Sequence, residues 1–165
     1  MRPRMALLAI LALGVFVLVV PTAAPAAGSV TTAHGFAFSM TPAGTRTFAF
    51  AVSHTPQGAT SGFAFVNNPN TGLTFSLSLN CLIRQDNEAI VGGVVTTANN
   101  PAILGWSYVF GIEDNPDVIT FTLTNGDSTL TCANALDATG EPTISSFVAD
   151  FAIPNVISES VTLVP

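Results

Sequence analysis

The side chains that could do chemistry are few in this chain and lie far apart. It has two histidines, His34 and His54, without an HxH or HExxH spacing, so the sequence predicts no zinc or copper site. Serine and aspartate are frequent, but there is no G-x-S-x-G turn for a nucleophilic serine and no glycine-rich loop for a phosphate. We therefore predict no catalytic residue, no metal ligand and no cofactor, and we interpret both histidines as exposed loop residues at strand edges.

One group of oxygen-bearing side chains is compact. Glu113, Asp114, Asn115 and Asp117 lie within five consecutive positions. Carboxylates and amides at such spacing suit calcium. The segment lacks the length and ligand order of an EF-hand loop, and Asp and Asn are common turn formers. The favoured interpretation is an ordinary turn, with calcium binding left open.

Trp106 and Tyr108 are the only Trp and Tyr in the chain. On an exposed face they could stack on a sugar or anchor a partner, because both combine a large apolar surface with one polar group. They alternate in step with Phe110 and Ile112. This shared parity predicts that all four belong to one strand and face the core.

The N-terminus has the three parts of a secretory signal peptide. Arg2 and Arg4 form a basic start, residues 5–20 are uncharged and apolar, and Ala24 and Ala26 are small residues at the positions that a signal peptidase reads. A membrane-anchoring helix is the alternative, but it needs about 20 apolar residues. We predict cleavage near Ala26. The signal peptide is then residues 1–26, and residues 27–165 form a single secreted β-domain without a membrane attachment.

The mature chain is strongly acidic. Without Arg2 and Arg4 it keeps two arginines, Arg46 and Arg84, against ten acids, which gives a formal net charge of −8. Such a surface repels phosphate backbones and anionic lipids. We therefore expect neither a nucleic acid nor an anionic membrane as partner.

Most of the chain alternates between larger apolar and small or polar residues, which is the pattern of β-strands. The alternating runs are residues 36–40, 48–52, 63–65, 73–83, 106–112, 119–123 and 147–151. Residues 89–97, which are rich in Val and Gly, and residues 156–163 are predicted as two further strands. Turn residues separate most of these runs, residues 133–142 are predicted as a long loop, and no run has a convincing helical period. We predict an all-β fold, a single antiparallel β-sandwich or flattened β-barrel of about eight to ten strands.

Cys81 and Cys132 are the only cysteines, and export predicts a disulfide bond between them. The alternation of residues 73–83 puts Cys81 on the apolar face of its strand. An Asn-Gly turn at residues 125–126 would pair Ile119 with Cys132, which puts Cys132 on the apolar face as well. Closing a loop of about 50 residues stabilises a fold by roughly 4 kcal/mol in the chain-entropy model. A reactive thiol pair is the alternative, but there is no CxxC spacing and no neighbouring cation.

A short repeat occurs in the first half of the mature chain. The tetrapeptide GFAF occupies residues 35–38 and again residues 62–65. At the same offset, Pro42 matches Pro69 and the dipeptide TF at 47–48 matches the one at 74–75. The favoured interpretation is that Phe-rich strands of similar length look alike by composition, and a duplicated hairpin is left open.

A second pattern extends from residue 71 to residue 127. It consists of a TG turn, a Cys-Leu pair, an Asn with an Ala two positions on, a GGVV strand, an aromatic strand with an Asp-Asn turn, and a further Asp before another strand. These parts are Thr71-Gly72, Cys81-Leu82, Asn87 with Ala89, residues 92–95, Phe110, Asp114-Asn115, Asp117 and residues 118–123.

In the order and spacing of these parts, the chain resembles a group of small secreted bacterial β-domains that is common in Gram-positive actinobacteria. The resemblance implies a secreted all-β domain and supplies no reaction. The group's longer glycine-rich Asp turn is contracted here to residues 114–117, which weakens a calcium role for that turn.

Three functional hypotheses follow. The favoured one is a non-enzymatic binding or surface-interaction module, whose partner would be an unknown protein or a glycan. The alternative is a carrier of a small apolar ligand, with a barrel cavity lined by Phe48, Phe50, Phe75 and Phe110. A hydrolase with scattered catalytic residues is the least favoured.

Overall fold

The computed structural model describes residues 31–120, 123–124, 126, 129–153 and 156–164. The predicted signal peptide, residues 1–26, and its cleavage site lie outside the described residues. Within them the chain is all-β with two short helices. The strands are β1 Thr31–Thr41, β2 Gly44–His54, β3 Thr60–Asn68, β4 Leu73–Gln85, β5 Glu88–Ala98, β6 Ser107–Glu113, β7 Val118–Ile119, β8 Leu123–Thr124 and β9 Val156–Val164. The helices are α1 Ala135–Thr139 and α2 Ile144–Asp150.

In the described part of the chain, the nine strands form one antiparallel sheet and not the two packed sheets of a sandwich. Strands β1 to β6 follow one another as a meander, and β7 and β8 both pair with β6. The C-terminal strand β9 returns to pair with β1, and it also contacts β7. The sheet is therefore curled into a nearly closed barrel, with its seam between β7 and β9.

Two carboxylates supply hydrogen-bond acceptors across this seam. The backbone N–H of Ile119 donates to Oε2 of Glu159 at 3.3 Å, and the backbone N–H of Leu163 donates to Oδ2 of Asp114 at 2.9 Å. Charged acceptors make stronger hydrogen bonds than neutral ones. Desolvation, the main effect, and the charge of Asp117 raise the pKa of Glu159, while the bond from Ile119 acts in the opposite direction.

Inside the barrel, large aromatic rings pack beside glycine and alanine residues of the neighbouring strands. The ring centroid of Phe110 lies 4.8 Å from that of Phe48 and 5.2 Å from that of Phe50, both in edge-to-face geometry. Phe50 pairs with Gly35 on one side and Ala64 on the other. A Cβ atom at Gly35 would lie 2.9 Å from the Phe50 ring and closer still to the backbone of β9. The glycine thus provides the space that the Phe50 ring and β9 occupy.

A β-bulge in β4 corrects the predicted orientation of Cys81. Leu79 pairs with Gly93 of β5, but Cys81 pairs with the adjacent Gly92, so Asn80 is an extra residue in β4. The extra residue reverses the alternation, because successive side chains of a strand point to opposite faces. Cys81 therefore faces the outside of the barrel, and so does Ile83, which is 41% exposed.

The predicted strand at residues 147–151 is wrong, because α2 occupies Ile144–Asp150. Thr143 caps this helix through a reciprocal capping box with Ser146. Ile144, Phe147 and Val148 are buried, and their spacing puts them on one helical face. The predicted loop at residues 133–142 also contains a helix, α1, which ends at Gly140 with φ 78°.

These helices cover a second hydrophobic core on the outer face of the barrel wall. It is separate from the core inside the barrel. Its buried members come from β5, β6 and the segment after residue 129: Ile90, Val109, Leu130, Cys132, Ala135, Ile144, Phe147 and Val148. Strands β5 and β6 are consequently buried on both faces, which explains their nearly continuous apolar sequence.

The Cys81–Cys132 crosslink ties this helical layer to the barrel. The two sulfur atoms lie 2.14 Å apart, at disulfide distance, as the sequence predicts. The predicted hairpin that pairs Ile119 with Cys132 is wrong, because Cys132 begins a 3₁₀ turn, Cys132–Asn134, and Ile119 pairs with Ile112 of β6. Both cysteines therefore belong to the outer core and not to the barrel interior.

Candidate functional site

The two histidines lie on strands and not in loops. His34 lies within β1 on the outer surface. His54 ends β2, and its Nδ1 lies 2.6 Å from Oγ1 of Thr60. No three His, Cys, Asp or Glu side chains within the described ranges come together as ligands for a metal ion.

The acidic turn after β6 is held by hydrogen bonds within the protein. Nδ2 of Asn87 donates to Oε1 of Glu113 at 3.3 Å and to the backbone oxygen of Asp114 at 3.1 Å. Asp114 uses its carboxylate at the barrel seam, and Asn115 has a positive φ of 66°. The turn thus fastens the β4–β5 connection to β6 and places Asp114 beside β9.

Tyr108, Phe110 and Ile112 are buried inside the barrel, as their parity with Trp106 predicts. Trp106 itself is partly buried and packs against the same core. The ring centroid of Tyr108 lies 4.8 Å from that of Phe75, which belongs to β4, two strands away in the sheet. Burial raises the pKa of Tyr108 to about 12. The stacking of a sugar on an exposed Trp–Tyr face has no support here.

The outer face of β1, β2 and β3 carries a trough. The strand pattern alone did not identify it as a site. Two phenylalanine ridges flank a floor of alanines. The ridges are Phe36 and Phe38 on β1 and Phe63 and Phe65 on β3, and the floor is Ala49 and Ala51 on β2. We call these six residues the aromatic trough.

The strand register fixes the shape of this trough. Ala49 pairs with Phe36 on one side and Phe65 on the other, and Ala51 pairs with Phe63. Because neighbouring strands lie about 4.8 Å apart, the two ridges are about 10 Å apart. A shallow surface depression of about 560 Å³ continues the floor past Ala51 to Ser53.

The trough exposes large apolar groups. Phe63 is 61% exposed, Phe65 38% and Phe36 37%, and Met40 extends the β1 ridge with 52% exposure. Single exposed apolar residues are ordinary, but a contiguous patch marks an interaction surface. The GFAF repeat builds both ridges: in each copy the glycine and alanine face inward and the two phenylalanines face outward. The small residues between the phenylalanines could have predicted this orientation. Glycine and alanine suit a crowded interior better than an exposed face, so the phenylalanines that alternate with them face outward.

Charge is segregated along the chain. All ten acids lie at Asp86 or later, whereas β1 to β4 contain only Arg46 and Arg84 as fixed charges. The trough is therefore uncharged, and its surroundings on β2 and β4 carry Thr, Ser and Asn. Uncharged aromatic centres with polar rims are typical of protein interfaces.

A separate cavity of about 180 Å³ opens at one end of the barrel. It lies where β2, β4 and β6 begin and β3 ends. Its apolar lining consists of Phe48, Val66, Leu73, Phe75 and Ile153, and its polar lining includes Arg46, Tyr108 and Thr120. Two of the four phenylalanines expected to line a cavity do so, whereas Phe50 and Phe110 belong to the packed interior.

No protein-family model, curated protein or solved structure matches this chain. The resemblance of residues 71–127 to secreted actinobacterial β-domains therefore stays a prediction. In the ranges that the structure describes, no helix has the length and apolar character to cross a bilayer.

Proposed function

We propose that this protein is an exported, non-enzymatic surface-interaction module that docks through the aromatic trough. The observation that carries the proposal is the exposure of three trough phenylalanines on an uncharged sheet face. Burying a phenylalanine that is half exposed stabilises an interface, because apolar area contributes roughly 25 cal/mol per Å². Export is supported by the disulfide-distance pair Cys81 and Cys132, since disulfides persist in oxidising compartments.

The partner that shape and charge favour is a second copy of this chain. A phenylalanine ridge of one copy fits between the two ridges of another, since the alanine floor leaves that space open. Sheet-on-sheet packing of this kind is the ordinary way to bury such a face. The same contact turns β6 and the helices that cover it away from the other copy, because β6 lies opposite β2 across the barrel interior.

A second candidate function is the carriage of a small apolar ligand. The cavity at the barrel end favours it, because the mouth of a β-barrel is a common place for a ligand site. The cavity does not overlap the trough, so the two functions are compatible.

Sedimentation velocity over a range of protein concentrations tests the docking proposal. The disulfide-intact protein is expected to form a dimer reversibly. The double variant Phe63→Ser/Phe65→Thr is expected to weaken the dimer at least about tenfold, because it removes one whole ridge and each buried ring contributes more than 1 kcal/mol.

The matched control is Ile83→Thr, which removes an exposed apolar side chain of β4 outside the trough. It should leave the dimer unchanged. A protein that stays monomeric at millimolar concentration contradicts self-docking, and so does a dimer that survives the loss of the Phe63–Phe65 ridge. A monomer that binds an insoluble neutral glycan through the same phenylalanines would replace the second copy with a glycan as the partner.

A further inference from the structure

His34 lies in one row with residues of the aromatic trough. It pairs with Ala51 of β2, and Ala51 pairs in turn with Phe63 of β3. On its other side His34 pairs with Thr162 of β9. Directly paired residues of antiparallel strands point to the same face, so these four side chains lie side by side on the outer face, where His34 is exposed. The shallow depression beyond the trough floor is lined by both His34 and Ala51.

The aromatic trough restricts how two copies can dock. A symmetric dimer that buries this face has its two-fold axis in the plane between the two sheets. An axis across the strands would put each strand opposite itself, so that ridge would meet ridge. An axis along the strands displaces the second copy sideways and lets a ridge of one copy enter the trough of the other. This arrangement also keeps the strands of the two sheets nearly aligned, as stacked sheets commonly are.

An axis along the strands preserves the position of every residue in the strand direction. The row that contains His34 in one copy therefore faces the same row of the second copy. Each His34 then lies beside Phe63 of the second copy, whichever ridge enters the trough. When the β1 ridge enters, the two His34 side chains of the dimer are also separated sideways by only one strand spacing, about 4.8 Å.

We infer that protonation of His34 switches the dimer, so that the two copies separate in mildly acidic solution. The inference rests on the proposed docking function and adds the regulation of that surface. Histidine is the side chain that ordinarily gains a charge between pH 8 and pH 5. In the separate copies the charged imidazole is hydrated, whereas in the dimer it loses water against the Phe63 ring. Protonation therefore favours the separate copies.

In the described strands, no acid near His34 compensates its charge. Strand β3 has no titratable side chain, and His34 is the only one on β1. The titratable side chains of the flanking strands alternate to the inner face: Arg46 and His54 on β2 and Glu159 on β9. The next member of the row, on β4, is the neutral Ser78. A protonated His34 thus meets neutral groups, and in the β1 arrangement a second imidazolium.

Sedimentation velocity at pH 8 and at pH 5.5, both in 0.15 M sodium chloride, tests the inference on the disulfide-intact protein. The dissociation constant of the dimer should be at least about tenfold larger at pH 5.5, because each of the two histidines must lose hydration or release its proton and their effects multiply. The overall charge acts in the opposite direction, since proton uptake reduces the net negative charge and the repulsion between copies. A cooperative thermal transition at both pH values verifies that the protein is folded.

The histidine variants separate His34 from the other titrating groups. His34→Gln should lose the weakening at pH 5.5, because glutamine keeps a polar side chain and takes up no proton. His54→Gln is the matched control. His54 is the other histidine of residues 31–165, and its Nδ1 lies 2.6 Å from Oγ1 of Thr60 at the end of β2. This variant should weaken at pH 5.5 as the unsubstituted protein does.

Each outcome decides a different point. A dimer that is equally tight at both pH values refutes the switch and leaves the docking function standing. The same weakening in His34→Gln refutes the switch as well, because another group would then cause it. A dimer that tightens at pH 5.5 only when His34 is present would mean that the Phe63 ring holds the imidazolium, contrary to the inference. The absence of a dimer at both pH values overturns the docking function and this inference together.

Discussion

At the scale of single residues, the acids and aromatics of this protein are used for structure more than for chemistry. Asp114 and Glu159 accept backbone hydrogen bonds across the barrel seam, and Asn87 holds the turn that contains Asp114. The sequence identified the acidic turn correctly as a compact group. It could not identify the use of Asp114, because its partner Leu163 is 49 residues away in the chain.

Tyr108 gives a residue-scale prediction that absorbance can test directly. It is the only tyrosine, so phenolate absorbance at 295 nm reports on it alone. We expect half-ionisation near pH 12 in the folded protein, because burial disfavours the charged phenolate, and near pH 10 in urea. Because the folded-state pKa is raised, stability is fully present below pH 10 and falls as the pH rises from 10 to 12, by at most about 1.4 kcal/mol per pH unit.

The control for this measurement is Tyr108→Phe, which should remove the absorbance change altogether. It should also remove the stability loss between pH 10 and 12. Half-ionisation of Tyr108 near pH 10 in a protein that is still folded would contradict the burial of its hydroxyl.

At the scale of elements, the alternating pattern predicted strands well but failed at two places for physical reasons. The bulge at Asn80 reverses the faces of β4, and nothing in a period-two pattern marks one extra residue. Phe147 and Phe151 are four positions apart, a spacing that satisfies a strand face and a helix face equally. A helix could be predicted here only by including Ile144 and Val148 in the pattern. Both lie on the face that α2 buries.

The trough and the end cavity could not be predicted from the strands alone, because both depend on register between strands. Ala49 lies between Phe36 and Phe65 only because β1 and β3 flank β2 in this order. Likewise, Arg46 and Tyr108 are 62 positions apart and meet only after the barrel has curled. The sequence could supply the residue types but not these neighbours.

The two-core arrangement predicts that the disulfide stabilises the helical layer more than the barrel. The double variant Cys81→Ala/Cys132→Ala should lose roughly 4 kcal/mol of unfolding free energy by the chain-entropy model. Hydrogen exchange should show where the loss falls: amides of Ile144–Asp150 should exchange much faster, while those in the centre of β2 should change less. Strand β2 belongs to the barrel interior, whose Phe48–Phe110 contact does not involve the crosslink.

Hydrogen exchange of the unsubstituted protein after mild reduction of its disulfide is the control. Reduction opens the crosslink without the small cavities that the two alanine substitutions leave. The same amides of α2 should lose protection. Equal loss of protection in β2 and α2 would mean that the barrel and the helical layer unfold as one unit, contrary to this prediction.

At the scale of the whole molecule, the strands that carry the apolar surface are free of acids. Strands β1 to β4 carry the aromatic trough and no acid, and every acid lies at Asp86 or later. A molecule built in this way can associate through its uncharged sheet face, while its net negative charge opposes further growth of the assembly. Because both copies use the same face, the trough contact closes after two copies.

This segregation predicts how salt affects the proposed dimer. In a dimer through the trough, the net negative charges of the two copies repel each other, and the Debye length falls from about 30 Å at 0.01 M salt to about 8 Å at 0.15 M. Raising sodium chloride over this range should therefore tighten the dimer, measured as its dissociation constant by sedimentation velocity. The variant Glu141→Gln/Asp150→Asn, which removes two acids of the helical layer, should dimerise more readily at low salt and respond less to added salt. A dimer that weakens as salt is added would mean that opposite charges hold the two copies together, and the uncharged trough would then not be the contact.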